Sequence, residues 1–166
     1  MSTDGETPRE PVEGVLVKSR RRLPHWELPG SGYFLTWRCV PGLALEPPDR
    51  DIVAANLRHW EGKRYLLFGA VVMPDHVHAL LKPLQVDGRW VRLSSIVRTA
   101  KGYTSRLINV RHARRGPVWQ EERFDRIVRD QHELTEKLAY MRNNPVRWEL
   151  AASAGEYRWF LAQKTD

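Results

Sequence analysis

A single cysteine, Cys39, is all the thiol chemistry this 166-residue chain carries. An internal disulfide framework and an all-cysteine zinc site are therefore excluded. Long apolar runs are missing as well. No window approaches the ~18 uninterrupted apolar residues that a bilayer-spanning helix needs. Met1 to Pro11 carries Asp4, Glu6 and Glu10 without an apolar stretch, which does not fit a secretory signal. No phosphate-cradling P-loop and no GxGxxG turn is present, so no nucleotide cofactor is predicted, and no internal repeat breaks the chain into copies. These absences predict a cytoplasmic protein with no membrane association.

The most telling absence is of negative charge. From Gly88 to Gln120 there is no acidic residue, while Arg89, Arg92, Arg98, Lys101, Arg106, Arg111, Arg114 and Arg115 all fall in that stretch. A second basic group, Lys18 with Arg20, Arg21 and Arg22, lies near the N-terminus. Lys and Arg together number 27 against 20 acids, giving a formal charge of +7. A basic domain attracts polyanions over distance, and arginine's planar fork suits phosphate. Tryptophans number seven. Aromatic faces between arginines are what unstacked bases lie on, although large aromatics also dominate ordinary cores.

What is present divides readily. Residues 1–30 are polar and proline-containing and predict a basic N-terminal arm. Gly32 to Val40 is aromatic and β-branched between turn signals, which predicts a strand. Pro47-Pro48-Asp49 starts a helix over about 49–61, with Ile52, Val53, Leu57 and Trp60 on one face. Tyr65 to Met73 and His76 to Leu81 predict a hairpin joined at Pro74-Asp75. Asp87-Gly88 marks a loop. Leu93-Ser94-Ser95 opens a second helix running to about Asn109, and a basic loop follows. Arg123 to Arg129 predicts a short strand. Gln131 to Asn143 predicts a third helix, stopped by Asn143-Asn144-Pro145. Residues 151–166 predict a tail or short helix. The order strand, helix, strand, strand, helix, strand, helix predicts an α+β, ferredoxin-like (RRM-like) sandwich.

One group of residues has the spacing for chemistry. In a strand, residues i and i+2 point to the same face, so His76 and His78 project side by side while Val77 points away. Two neutral imidazoles on one rigid strand make half of a divalent-metal site; two surface histidines with ordinary hydrogen bonds would have the same spacing. Tyr140 and Asn144 lie four apart on one helix face. An Asn amide oxygen completing a His-His-amide set suits Mg2+ or Mn2+ better than structural zinc. From spacing alone Tyr140 is either an attacking phenol or a core-edge aromatic, and Asn144 either a ligand or part of a helix stop. Tyr103, on the basic second helix, is a rival nucleophile.

The segment Val71-Val72-Met73-Pro74-Asp75-His76-Val77-His78 with Leu80-Leu81 resembles the His-hydrophobic-His (HUH) signature of single-tyrosine transposases. Among them the chain is most similar to the REP-associated tyrosine transposases, relatives of the smallest insertion-sequence enzymes. Further similar segments are Arg22-Leu23-Pro24-His25-Trp26, Gly32 to Thr36, Lys101 to Asn109, Val118-Trp119-Gln120, Arg123-Phe124-Asp125 and Tyr140 to Val146. The resemblance implies an HUH nuclease domain over residues 31–150. It also implies cleavage and rejoining of single-stranded DNA beside hairpin (palindromic, REP-like) sequences through a 5′-phosphotyrosine. His76 and His78 match the HUH histidines, Tyr140 the nucleophile, and Asn144 a polar third ligand that is often Gln in related enzymes. Arg20, Arg21, Arg22, Arg98, Lys101, Tyr103, Arg106, Arg111, Arg114 and Arg115 become candidate DNA contacts. A non-cleaving hairpin-binding domain is the alternative, and a water-using metal hydrolase a further one. Monomer and homodimer both remain open.

Overall fold

The computed structural model describes Val17–Lys18 and residues 26–164. Arg20, Arg21, Arg22 and His25 lie outside the described residues. The elements run β1 (Val17–Lys18), β2 (Trp26–Glu27), β3 (Gly32–Cys39), α1 (Pro47–Trp60), β4 (Tyr65–Val72), β5 (His76–Pro83), β6 (Gln85–Val86), β7 (Arg89–Trp90), α2 (Leu93–Arg111), β8 (Trp119–Val128), α3 (Gln131–Arg147) and β9 (Phe160–Ala162). The main sheet has the order β8-β3-β5-β4-β9, antiparallel throughout. Its first four strands, with α1 and α2 as crossovers, make the expected ferredoxin-like α+β pattern.

The sheet divides the molecule by strand alternation. One face presents Leu35, Trp37, Val72, Val77, Ala79 and Leu81, which pack with Val53 and Leu57 of α1 and Leu93, Ile96, Val97 and Ile108 of α2. The other presents Phe34, Val71 and Leu80, which pack with Met141 of α3 and Tyr157. α3 can lie this close because position 69 carries no side chain. A Cβ there would come within 2.8 Å of Leu138 Cδ2 and 3.4 Å of Met141 Cε.

Three expectations need correction. The third helix does not stop at Asn143 but continues through Pro145 to Arg147. Pro145 lacks an N–H and forfeits one ladder bond, yet it is buried and its carbonyl accepts from Leu150 N, so the last turn survives. The segment expected as a tail or short helix instead returns as β9, an edge strand on β4, held by Tyr157, whose hydroxyl donates to the Val72 carbonyl at 2.8 Å. The end of the expected arm is also built into the body. Glu27 is buried, and its Oε1 accepts from Ser94 N at 3.0 Å, at the start of α2. That end of α2 has no side-chain cap of its own and no acid in its first turn, so Glu27 supplies the missing acceptor.

Candidate active site

The β4–β5 hairpin is fixed at its turn. Met73 N donates to the His76 carbonyl, Cys39 N to the Asp75 carbonyl and Leu45 N to the Pro74 carbonyl. β5 therefore leaves the turn with His76 and His78 on the α3 side, their rings 4.7 Å apart between centroids. Both are buried, at 2% and 4% exposure. Buried polar rings need partners, and each has one on its Nδ1. Asp75 accepts from His76 Nδ1, and Thr36 Oγ1 lies 2.7 Å from His78 Nδ1. Thr36 pairs with His78 in the β3–β5 register. With the proton on Nδ1 of His76, its Nε2 lone pair is free to accept.

Burial holds both imidazoles neutral. It lowers the His76 pKa from its ordinary value, partly offset by the Asp75 carboxylate. His78 is pushed down to about 3, first by burial, then by the repulsion it would meet from His76 if both rings took up a proton, and by the Arg38 guanidinium. Neutral imidazoles are the form that binds a metal.

α3 brings the other two residues. Its N-terminus is tied to β8: Asp130 caps it by accepting from Glu133 N at 2.8 Å. Glu133 in turn accepts from Arg129 N and pairs with Arg126 at 2.6 Å. Over the site, Tyr140 stands edge-on to His78 at 5.4 Å and to Phe34 at 6.2 Å, while Phe34 stacks on His78 at 5.3 Å. The Tyr140 side remains 41% exposed. One turn on, Asn144 is buried with Nδ2 3.3 Å from His76 Nε2. An amide carries both a donor and an acceptor, and a flip would present Oδ1 at the same place. Two neutral Nε2 atoms and an amide form a donor set that fits a divalent cation.

The basic residues lie elsewhere. Arg98, Lys101, Tyr103 and Arg106 are on α2, across the sheet from the imidazoles. Arg98, Tyr103 and Arg106 are exposed there, and the Arg106 guanidinium lies over the Tyr103 ring at 5.7 Å. Lys101 donates to the Glu121 carbonyl at 3.0 Å. In the following loop Arg114 donates to the Pro117 carbonyl and Arg115 is exposed. Arg111 is engaged differently, since it pairs with Glu46 at 2.7 Å and Asp49 at 3.5 Å.

Asp49 also contacts His112 at 2.8 Å, and Glu46, Asp49 and His112 offer ligand atoms within 4.8 Å of one another. The Arg111 guanidinium already supplies the positive charge a cation would bring. Asp49 Oδ2 also accepts from Glu46 N, closing the start of α1. This group joins α1 to the end of α2.

Sequence reasoning passed over Thr36, Arg38 and Trp148. Alternation could have found the first two, because Thr36 and Arg38 lie opposite His78 and His76 in a paired strand.

The family model for IS200-like transposases matches residues 54–144, more than half of the chain and the span from α1 to Asn144. The chain belongs to the IS200-like transposase family. Membership makes this a transposase-type enzyme acting on DNA. Among solved structures it is similar to a REP-associated tyrosine transposase bound to a REP hairpin, with a TM-score of 0.68 and 16% identity over 87% of this chain and 82% of that one. At that identity the likeness speaks for the shared fold. No curated protein matches the sequence. Among the described residues, no helix of this transposase is long and apolar enough to cross a membrane.

Proposed function

We propose that this transposase cleaves and rejoins single-stranded DNA at the foot of hairpins formed by REP-like palindromes, with Tyr140 as nucleophile. The Tyr140 phenolic oxygen attacks the phosphorus and the P–O3′ bond breaks. The downstream piece stays on the protein through its 5′-phosphate as a phosphotyrosine, and the upstream piece of the same strand leaves with a free 3′-OH. The phenol's proton passes to solvent on the exposed side of the ring, and the departing oxygen takes one up. A 3′-OH attacking the phosphotyrosine reverses the step and joins DNA. The ester conserves bond energy, so no nucleotide cofactor is required.

His76, His78 and Asn144 would hold Mg2+ or Mn2+, which supplies positive charge beside a phosphate whose negative charge grows during displacement. Asp75 and Thr36 keep the imidazoles oriented, as hydrogen-bond partners on the far nitrogen do at metal sites. The observation that carries the reading is the meeting of Tyr140 with His78 and of Asn144 with His76 at one spot. Tyr103 lacks that relation, being across the sheet. Arg98, Lys101, Arg106 and Arg115 bind hairpin phosphates along the second helix and its loop, with the substrate reaching them around the β8 edge.

A hairpin oligonucleotide with unpaired flanks, incubated with the protein and Mg2+ or Mn2+, should yield a covalent protein–DNA band on a denaturing gel. Tyr140→Phe and chelation should each abolish that band, while Tyr103→Phe keeps it. A band that survives Tyr140→Phe assigns the nucleophile elsewhere. Tight binding without any band under all these conditions would leave a non-cleaving hairpin-binding domain.

A further inference from the structure

The proposed chemistry uses one end of the imidazole pair, where Tyr140 meets His78. The other end is also furnished. Trp148 caps the C-terminus of α3, four residues beyond Asn144, and its ring lies 6.1 Å from that of His76. Tyr140, Asn144 and Trp148 thus recur every four residues, so the tryptophan sits ~12 Å along the helix from the tyrosine. Trp148 remains 56% exposed, more than any other Phe, Tyr or Trp among the described residues except Phe124. The indole is thus left half open beside a buried imidazole. Apolar side chains of this size usually find cover.

Beside His76 stands Arg38, paired with it in the β3–β5 register and on the same face of the sheet. Arg38 is exposed, and among the described residues it makes no ion pair. The carboxylate of Asp75 is already taken by His76 Nδ1. A flat aromatic surface and an uncommitted guanidinium, both next to one imidazole, have the chemistry to bind an unpaired nucleotide. The base can stack on the indole while its phosphate pairs with the arginine. Stacking is indifferent to base identity, and a base inside a duplex cannot offer its face.

We propose that Trp148 and Arg38 form a subsite for one unpaired nucleotide next to the scissile phosphate. The subsite rests on the reading of His76 and His78 as the reaction centre. It sets where the single strand must enter: past the C-terminus of α3, over His76, toward Tyr140. Trp148 and Arg38 bind substrate and move no proton.

The test measures binding in the presence of chelator, so that no cleavage intervenes. The probes are a fluorescent oligothymidine, the same strand with consecutive abasic residues, and a blunt duplex. Trp148→Ala should weaken oligothymidine binding about 5- to 100-fold, the range of one lost base–aromatic stack. It should leave the already weak abasic strand unchanged. Trp148→Phe should restore most of the loss. Arg38→Ala should flatten the salt dependence of binding by about one phosphate contact, and Arg38→Lys should restore it. Irradiation of the same strand carrying 5-iodouracil should cross-link it to Trp148.

Equal binding by Trp148→Ala and wild type, or equal losses for normal and abasic strands, overturns the subsite. If the covalent band needs Tyr140 while Trp148→Ala binds and reacts normally, only the subsite fails. If Trp148 cross-links and binds as described but the covalent band is independent of Tyr140, the reaction-centre reading fails instead.

Discussion

The two faces of the central sheet are built from the same strands and do opposite things. The face under α1 and α2 is an apolar layer in which Leu35, Leu67, Val77 and Ala79 have no exposure, interrupted on β8 by the buried Arg123–Asp125 ion pair. Its polar residues serve closure: Asp49 ties α1 to the end of α2, and Thr104 accepts from the Trp119 indole N–H at 3.0 Å. The face under α3 is thinner, and its strands give up core positions to Thr36, His76 and His78. Alternation of side chains lets one strand, β5, take part in both faces. Stability is concentrated on one side of the strand and the proposed chemistry on the other.

That division can be broken most sharply by exchanging one residue on each side. Leu35→Ala should destabilise the fold by about 2–5 kcal/mol, the range for removing a buried leucine. Its neighbour across the sheet, His78→Ala, should abolish covalent adduct formation while costing markedly less stability. Denaturant unfolding together with the gel assay measures both. Equal stability losses from the two would refute the division of labour.

Gly69→Ala tests how α3 is seated. The added methyl runs into Leu138 Cδ2, so we expect a loss of about 1–3 kcal/mol from overpacking. Because α3 carries Tyr140, adduct formation should slow more than the stability loss alone explains.

A smaller effect concerns pH. The Glu133 carboxylate is held below the usual range, first by accepting from Arg129 N and then by the Arg126 guanidinium. A carboxyl with a depressed pKa in the folded state stabilises fully above its unfolded pKa, near 4.5. That contribution is lost as the pH falls through the folded value. Melting curves across the acid limb should therefore be flatter in Glu133→Gln than in wild type. Smallest of all, Arg106→Ala should reduce the salt slope of hairpin binding by about one contact and leave adduct chemistry intact.

Much of the architecture was legible in the chain because the strand and helix periods are clean. The His76-Val77-His78 alternation and the Tyr140–Asn144 spacing indicated that each pair shares a face. Spacing could not say that the two faces would meet, since that depends on which side of the sheet the third helix chooses. Pro145 misled the helix boundary because local propensity treats proline as a stop, whereas burial of the last turn outweighed one missing bond. The Phe160 strand was hidden in a short aromatic segment whose partner, β4, lies nearly ninety residues earlier. The charge run that made Arg111 a candidate DNA contact said nothing about its pairing with Glu46 and Asp49 at the start of α1.

Glu27 has a practical consequence for anyone shortening this protein. Cutting the chain just before residue 31, where its composition changes, would leave the opening amides of α2 without an anion and the Tyr33 hydroxyl without its Leu28 backbone partners. A truncated transposase of that kind would lose order at the front of its most basic helix. Any drop in DNA affinity it showed would then reflect a frayed helix as much as missing arginines.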